Sequence, residues 1–326
     1  MALKAINSIH KQQIEAGTKG RKRGHKFEEL LTKAINECDI SQIDCTATAT
    51  GHLYCGNPAV LLLSYIARSY GIEIIKVHAW WLGGLATSGD GDVITDEHGN
   101  PITKCKSDVV IEITYKEGVF RTGISVKTCS KKTPTNDQMY FTTASAFCKL
   151  LEDNGVAVSS AAKEGLSQFC GDVGYRPLDK LSSDVLSKRK SDPRRYYWEE
   201  LSAQAQNDWA EVFLKHQDHI SQLLFQKAYK SDPYPPDFLF HQTVKYDSFD
   251  ECPVALFTIR EIVKLSREHC GYVLTPYKIR KGTYKNDPNE HLAPRFGFIQ
   301  FQRGGQKKHP TQLQFNLKAG YFNHLK

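Results

Sequence analysis

The chain has 326 residues, 40% of them hydrophobic, and a formal net charge of +7 at pH 7, so it can bury a substantial core as one elaborated domain or as two. No stretch approaches the roughly 20 apolar residues that a membrane span needs, and the first residues lack the apolar segment of a signal peptide. We therefore expect a cytoplasmic protein without a membrane partner, whose nine cysteines are reduced thiols.

A cluster of basic residues precedes the first predicted helix. This cluster is interpreted either as a solvated arm or as a clamp that binds phosphate groups. The cluster consists of Lys19, Arg21, Lys22, Arg23 and Lys26. Apolar residues then recur at helical spacing: Phe27, Leu30, Leu31, Ala34 and Ile35. At about 100° per residue, Glu28 lies at the rim of the apolar stripe and Glu29 lies almost opposite it. The pattern favours Glu28 as a residue that faces a site beside the core; the alternative is that both glutamates face solvent in the first helical turn.

Two segments separate this helix from the next informative region. Residues 72–81 read as a strand, and residues 88–93 form a glycine-rich loop with the acids Asp90 and Asp92. Such a loop could present a carboxylate to a metal ion. Asp92 ranks second to Asp108 as a candidate, because the turn nearest to it, at residues 98–101, leads to no acid-x-Lys tripeptide.

Residues 104–129 read as a β-hairpin with a turn centred between Glu117 and Gly118. This turn sets Asp108 opposite Lys127 and Val110 opposite Ser125. Because side chains alternate along a strand, Asp108, Ser125 and Lys127 share one face. The core face carries Val109, Ile111, Ile113, Ile124 and Val126. An aspartate beside a lysine at a strand end is suited to holding a divalent cation and orienting a water molecule, although an ordinary surface ion pair is the alternative.

The hairpin resembles the PD-(D/E)XK nucleases, whose pattern is an aspartate at the start of one strand and an acid-x-Lys tripeptide on the next. The corresponding residues here are Ser107-Asp108 and Ser125-Val126-Lys127, so a serine stands at the usual acidic position. Some restriction endonucleases that cut CCGG-containing sites look similar, and they take a glutamate from elsewhere in the chain. The family often has a glutamate on its first helix in a Gly-x-x-Phe-Glu-like context, which Glu28 matches.

The resemblance implies an α/β fold with a restriction-endonuclease-like core, in which helices flank a mixed central sheet. It implies that Asp108 and Glu28 bind Mg²⁺, that Ser125 occupies the second acidic position, and that Lys127 orients the attacking water or stabilises the developing phosphorane charge. Weaker candidates for the second acid are Asp137, Glu152 and Glu112.

The function that the resemblance implies is that of a type II restriction endonuclease, which hydrolyses double-stranded DNA at a specific site and leaves 5′-phosphate and 3′-hydroxyl ends. A homodimer is expected if the target is palindromic, and a cognate DNA methyltransferase is the expected functional partner. The alternatives are a repair or junction-resolving nuclease and a non-catalytic DNA-binding protein on a nuclease-like core. Ser125 is the strongest argument for the last of these.

The rest of the chain is interpreted from its composition. Residues 139–151 read as a helix and residues 156–158 as a short apolar run, which completes the order of elements in the nuclease core. A basic, proline-broken stretch at residues 188–195 separates a catalytic core, residues 1–190, from a recognition region, residues 191–326. Helical spacing at residues 198–229 and strand-like runs at residues 255–259, 272–274, 296–301 and 312–317 indicate that this region is partly helical and rich in β-structure.

Candidate DNA contacts come from three basic segments, because arginine, lysine and glutamine donate to phosphates and base edges. They are Arg303, Gln306, Lys307 and Lys308 in a loop between the last two strands, Arg194 and Arg195 in the linker, and Lys131 and Lys132 after the second hairpin strand. The alternative is that these are ordinary polar residues of exposed loops, without a role in DNA binding.

Overall fold

The computed structural model of the protein describes residues 8–44, 51–83, 91–227, 232–280, 284, 286–303 and 311–324. Its helices are α1 (Ser8–Asn36), α2 (Pro58–Tyr70), α3 (Ala144–Asp153), α4 (Ser160–Cys170), α5 (Pro177–Lys180), α6 (Ser183–Lys188), α7 (Ala203–Gln226) and α8 (Ile259–His269). Its strands are β1 (Leu53–Gly56), β2 (Ile74–Trp81), β3 (Val109–Tyr115), β4 (Gly118–Thr128), β5 (Asp137–Thr142), β6 (Pro236–Gln242), β7 (Cys252–Thr258), β8 (Tyr272–Tyr277), β9 (His291–Phe296), β10 (Ile299–Arg303) and β11 (Leu313–Leu317).

The strands form two sheets. Six strands make a mixed sheet in the order β1-β7-β6-β4-β3-β2, in which β4 and β6 are parallel and the other neighbours are antiparallel. The other five make a sheet in the order β5-β11-β10-β9-β8. The predicted fold class, an α/β fold whose mixed central sheet is flanked by helices, is confirmed.

The chain divides into two compact units, each built from separate stretches of sequence. The first contains residues 1–137, 222–263 and 319–326, and the second contains residues 138–221 and 264–318. The boundary predicted at residue 190 falls inside the second unit, and strands β6 and β7 of the six-stranded sheet come from beyond it. The division into a catalytic core and a recognition region therefore stays a prediction about function.

In the first unit, α1 and α2 pack on one face of the six-stranded sheet. The core residues include Phe27, Leu31, Ile35, Leu62, Ile66, Val109, Ile111, Ile124, Phe238 and Phe240. Helix α2 begins at Pro58, and the Asn57 side chain accepts a hydrogen bond from the Ala59 amide at 3.0 Å. It ends at Gly71, whose φ of +65° suits a left-handed C-cap.

Helix α1 differs from its prediction at the N-terminal end. It begins at Ser8, so the basic residues that were predicted to precede the helix lie within it. Glu28 is 6% exposed whereas Glu29 is exposed, so Glu28 lies on the buried side of the helix. The apolar stripe determined this outcome, since it sets the buried face of a helix whatever the position of its first residue.

The hairpin of β3 and β4 forms with a register that differs by two residues from the predicted one. Tyr115 pairs with Gly118 and Val110 pairs with Gly123, so the turn is Lys116-Glu117. The predicted pairings of Asp108 with Lys127 and of Val110 with Ser125 were wrong, because Gly118 begins the second strand instead of completing the turn. A shift by an even number of residues preserves the two faces of the sheet.

The second unit is organised around the five-stranded sheet and α3, α4 and α7. Its largest fully buried side chains include Phe147, Trp198, Trp209, Phe213, Phe296, Phe301 and Phe315. The predicted helix at residues 139–151 is a strand until Thr142 and a helix from Ala144, and residues 156–158 form no strand. The strand predicted at residues 296–301 is broken by a turn at Gly297, whose φ is +52°. No helix in the described ranges is long and apolar enough to cross a membrane.

Candidate active site

Asp108 lies directly before β3, and its backbone makes hydrogen bonds to a neighbouring chain segment on each side. Its amide donates to the carbonyl of Ile124 on β4 at 2.9 Å, and its carbonyl accepts from the amide of Leu82 after β2 at 2.8 Å. Two neighbouring chain segments therefore fix the position from which the carboxylate extends.

The Asp108 carboxylate meets the residues of the tripeptide on β4. Its Oδ2 accepts from the Val126 amide at 2.6 Å and lies 3.4 Å from Lys127 Nζ and 3.5 Å from Ser125 Oγ. Lys127 Nζ also donates to Ser125 Oγ at 3.1 Å and to the Val126 carbonyl at 2.9 Å. The side chains of Asp108 and Lys127 are 23% and 19% exposed, so a substrate can reach both.

Glu28 lies beside this cluster, and the pKa of its carboxyl is strongly raised. Burial, and secondarily the negative charge of Asp108, raises the pKa of Glu28 from 4.5 to about 8, while a hydrogen bond from Trp81 and the charge of Lys127 act in the opposite direction. Trp81, whose indole donates to Glu28 Oε2 at 3.1 Å, pairs in the sheet with Val109, the residue after Asp108, so Glu28 lies in the same neighbourhood as the cluster. The structure thus brings together the predicted residues of α1, β3 and β4.

The donor set fits a hard divalent cation such as Mg²⁺. Two carboxylates that repel each other, one of them buried, favour a cation between them, because the positive charge of the cation offsets the repulsion. Within the described ranges there is no group of three or more His, Cys, Asp or Glu residues that could hold a metal ion. Mg²⁺ is commonly held by one or two protein carboxylates, and its remaining ligands are water and substrate phosphate oxygens.

The other candidate acids among the described residues have partners of their own, and Asp90 lies outside the described residues. Their partners are the Trp81 amide for Asp92 at 2.8 Å, Arg121 for Glu112 at 2.9 Å, His241 for Asp137, and Lys163 for Glu152 at 2.6 Å. Asp108 and Glu28 are therefore the better-placed pair.

Lys106 is a second basic residue of the site that the sequence reading missed. Burial, and secondarily the positive charge of Lys127, lowers the pKa of Lys106 to about 8, against the opposing effects of Asp108 and Asp232. Its amide donates to Asp232 Oδ2 at 2.6 Å. Strand alternation gave no signal for Lys106, because the chain bends at Lys106 and at Asp108 before β3 begins.

The predicted DNA contacts have different surroundings. Lys131 and Lys132 are exposed in the loop after β4. Arg194 and Arg195 both pair with the buried carboxylate of Asp192, at 2.7 Å and 3.2 Å. The Arg303 guanidinium lies over the rings of Phe169 and Tyr197 and donates to the Tyr196 carbonyl at 2.6 Å. Gln306, Lys307 and Lys308 lie outside the described residues.

Comparisons with known proteins include a distant likeness to a solved structure. No protein-family model matches the chain, and no curated protein matches it significantly. Among solved structures, the chain is similar to a crystal structure of the restriction endonuclease MspI in complex with its cognate DNA, with 14% sequence identity and a TM-score of 0.44. The alignment covers 78% of this chain and 76% of that chain.

Proposed function

We propose that the protein is a Mg²⁺-dependent endonuclease that hydrolyses double-stranded DNA at a specific site, as type II restriction endonucleases do. One observation carries the proposal: Asp108, Lys127 and the buried Glu28, from three separate elements, converge at one end of the hairpin. An ordinary surface ion pair explains Asp108 and Lys127, but it does not explain a buried glutamate beside them.

Asp108 and Glu28 are the residues that would hold the metal ion. A bound Mg²⁺ supplies Lewis acidity at the phosphate and lowers the pKa of a coordinated water. The protein contributes the position of the two carboxylates. Asp108 is held by the Val126 amide at 2.6 Å, and Glu28 extends from the buried face of α1.

Lys127 and Ser125 act next to the carboxylates. The Lys127 ammonium donates to Asp108, Ser125 and the Val126 carbonyl, and these contacts hold its positive charge beside the carboxylates. There it would stabilise charge on a phosphate, or orient a water once one of the three hydrogen bonds is exchanged. Ser125 takes the place of an acid and adds no negative charge, so Glu28 supplies the second carboxylate. Lys106 adds positive charge at the same place.

DNA is the proposed partner of the exposed basic residues. Lys131 and Lys132 follow the strand that carries Lys127, so they can contact phosphates near the cleaved bond, which makes binding sensitive to salt. The proposal also includes Arg194, Arg195, Arg303, Gln306, Lys307 and Lys308 as DNA contacts. We also propose a homodimer on a palindromic target, a cognate DNA methyltransferase as functional partner, and a cytoplasmic location.

A specific observation favours a second candidate, a non-catalytic DNA-binding protein. Ser125 replaces the usual acid, and the described part of the chain offers two carboxylates at the site instead of three. Such a protein would keep the fold and the basic surface and would cleave nothing.

Cleavage of unmethylated phage DNA distinguishes these candidates. The purified protein is incubated with the DNA and Mg²⁺, with and without a chelator. A restriction endonuclease gives discrete bands only without the chelator, a junction-resolving nuclease gives structure-dependent nicks, and a binding protein gives only gel retardation.

Substitutions then test the residues. Asp108→Asn and Lys127→Ala should each reduce cleavage by about 10²-fold or more, while DNA binding persists, because each removes a group that acts on the reacting atoms. Matched controls are Asp247→Asn, at a side chain that is 99% exposed, and Lys116→Ala in the exposed hairpin turn. Normal cleavage by either site variant would show that the site is assigned wrongly.

A further inference from the structure

The Glu28 carboxylate is enclosed by residues that the proposed chemistry does not use. The indole N–H of Trp81 donates to Glu28 Oε2 at 3.1 Å. Gly83 lies so close that a Cβ added there would be 2.0 Å from the same oxygen and 3.0 Å from the indole nitrogen. A Cβ at Gly24 would lie 3.5 Å from the other oxygen, Oε1. The backbone at residue 83 therefore forms a wall of the space that holds the carboxylate.

Trp81 is itself held from several sides. Its amide donates to Asp92 Oδ2 and its carbonyl accepts from the Asp92 amide, both at 2.8 Å. Its ring packs edge-on against His25 of α1, with 5.9 Å between the ring centroids. In the sheet, Trp81 pairs with Val109, the residue next to Asp108. The indole donor is thus fixed relative to both elements that carry the proposed metal ligands.

A fixed donor on one carboxylate oxygen limits the rotation of the whole group. A free glutamate side chain has three rotatable bonds before its oxygens, and the last of them is broad. With Oε2 held by the indole, fewer orientations of the Glu28 carboxylate are possible, and so fewer directions in which it can bind a cation. Partners of metal ligands act in this way, and their removal commonly weakens metal binding by 10- to 100-fold.

We propose that Trp81 is a positioning residue, whose indole N–H orients the Glu28 carboxylate for metal binding together with Asp108, and that residue 83 must be glycine to leave room for that carboxylate. This inference rests on the proposed function. The competing explanation is that the hydrogen bond only satisfies a buried polar group, in which case its loss changes stability and leaves metal binding unchanged.

The test is Trp81→Phe, which keeps an aromatic ring and removes the N–H. The matched control is Trp80→Phe, the same change one residue earlier in β2, where side chains point to the opposite face and the ring lies 4.7 Å from the Arg121 guanidinium. Mn²⁺ binding to the full chain is measured by titration calorimetry without DNA, and the Mg²⁺ concentration for half-maximal cleavage is measured separately.

We expect Trp81→Phe to weaken Mn²⁺ binding by about 10- to 100-fold and to raise the Mg²⁺ requirement by a similar factor, with cleavage recovering at high Mg²⁺. Trp80→Phe should match the wild type in both measurements. Gly83→Ala should weaken Mn²⁺ binding at least as much as Trp81→Phe, and if it does not fold, Trp81→Phe alone decides the matter.

Two results would overturn the inference in different ways. If the wild type binds Mn²⁺ and cleaves DNA, but Trp81→Phe has the same affinity and the same Mg²⁺ requirement, only the role of Trp81 is refuted. If the wild type neither binds Mn²⁺ nor cleaves DNA, the proposed function fails and the positioning role fails with it.

Discussion

The buried carboxyl of Glu28 makes the stability of the metal-free protein depend on pH. Below pH 4.5 the group is protonated in both the folded and the unfolded chain. Above that pH the unfolded chain releases the proton, whereas the folded chain keeps it until about pH 8. The unfolded state therefore binds fewer protons in this interval, and the free energy of unfolding falls as the pH rises from about 4.5 to about 8.

The size of this effect follows from the two pKa values. The interval from 4.5 to about 8 corresponds to at most about 5 kcal/mol at 1.36 kcal/mol per pH unit. That is a large part of the ~5–15 kcal/mol by which proteins are stable. Glu28→Gln removes the ionisation and keeps an oxygen that can accept from Trp81. We expect this variant to be more stable than the wild type at pH 9, by up to about 5 kcal/mol, and equally stable near pH 4.5.

Urea unfolding between pH 4.5 and pH 9 in the presence of a chelator measures the effect as the difference between the two proteins. This difference isolates Glu28, because other titrating groups are common to both proteins. Glu29→Gln is the matched control, since its exposed neighbouring carboxyl should leave the pH dependence unchanged. Adding Mg²⁺ at pH 8 should stabilise the wild type more than Glu28→Gln. An identical pH dependence for wild type and Glu28→Gln would refute the burial argument.

Two further predictions concern the tripeptide and the loop after it. Ser125→Asp places a carboxylate beside Asp108, where Ser125 Oγ lies 3.5 Å from Oδ2, so calorimetry should show tighter Mn²⁺ binding and, with chelator, lower stability. Ser130→Asp, in the exposed loop, is its control. Replacing Lys131 and Lys132 by alanine should weaken DNA binding and reduce the slope of log K against log salt by about 2, while cleavage at saturating protein is kept.

These two predictions fail on clear outcomes. Unchanged Mn²⁺ affinity in Ser125→Asp would mean that this position does not face the metal site. An unchanged salt slope after the double lysine substitution would place the DNA away from the loop after β4, even if cleavage continued.

The part of the site that could be predicted depends on local periodicity. Alternation along β3 and β4 places Asp108, Ser125 and Lys127 on one face in any register that is shifted by an even number of residues, so the error of two residues in the turn left the three residues on one face. The apolar stripe of α1 separates Glu28 from Glu29 within a single helical turn. The register itself was not predictable, because Gly118 can either complete the turn or begin the next strand, as it does here.

The part that could not be predicted depends on contacts between distant segments. Strand β6 begins at Pro236, after prolines that read as a break, and no local signal shows that it pairs with β4. The contact between Trp81 and Glu28 joins residues that are 53 positions apart. The short apolar run at residues 156–158 is also packed by tertiary contacts, since Val156 and Val158 are buried without forming a strand.

The parallel pairing of β4 with β6 has a consequence for a chain that is still being synthesised. Lys127 has its neighbour, His241, only after the chain has been synthesised beyond residue 241. Until then one edge of β4 has unpaired backbone groups, to which strands of other chains can bind. Pairing between such distant segments is also slow. A nascent fragment that ends before β6 would therefore contain Asp108, Lys127 and Glu28 without the completed six-stranded sheet.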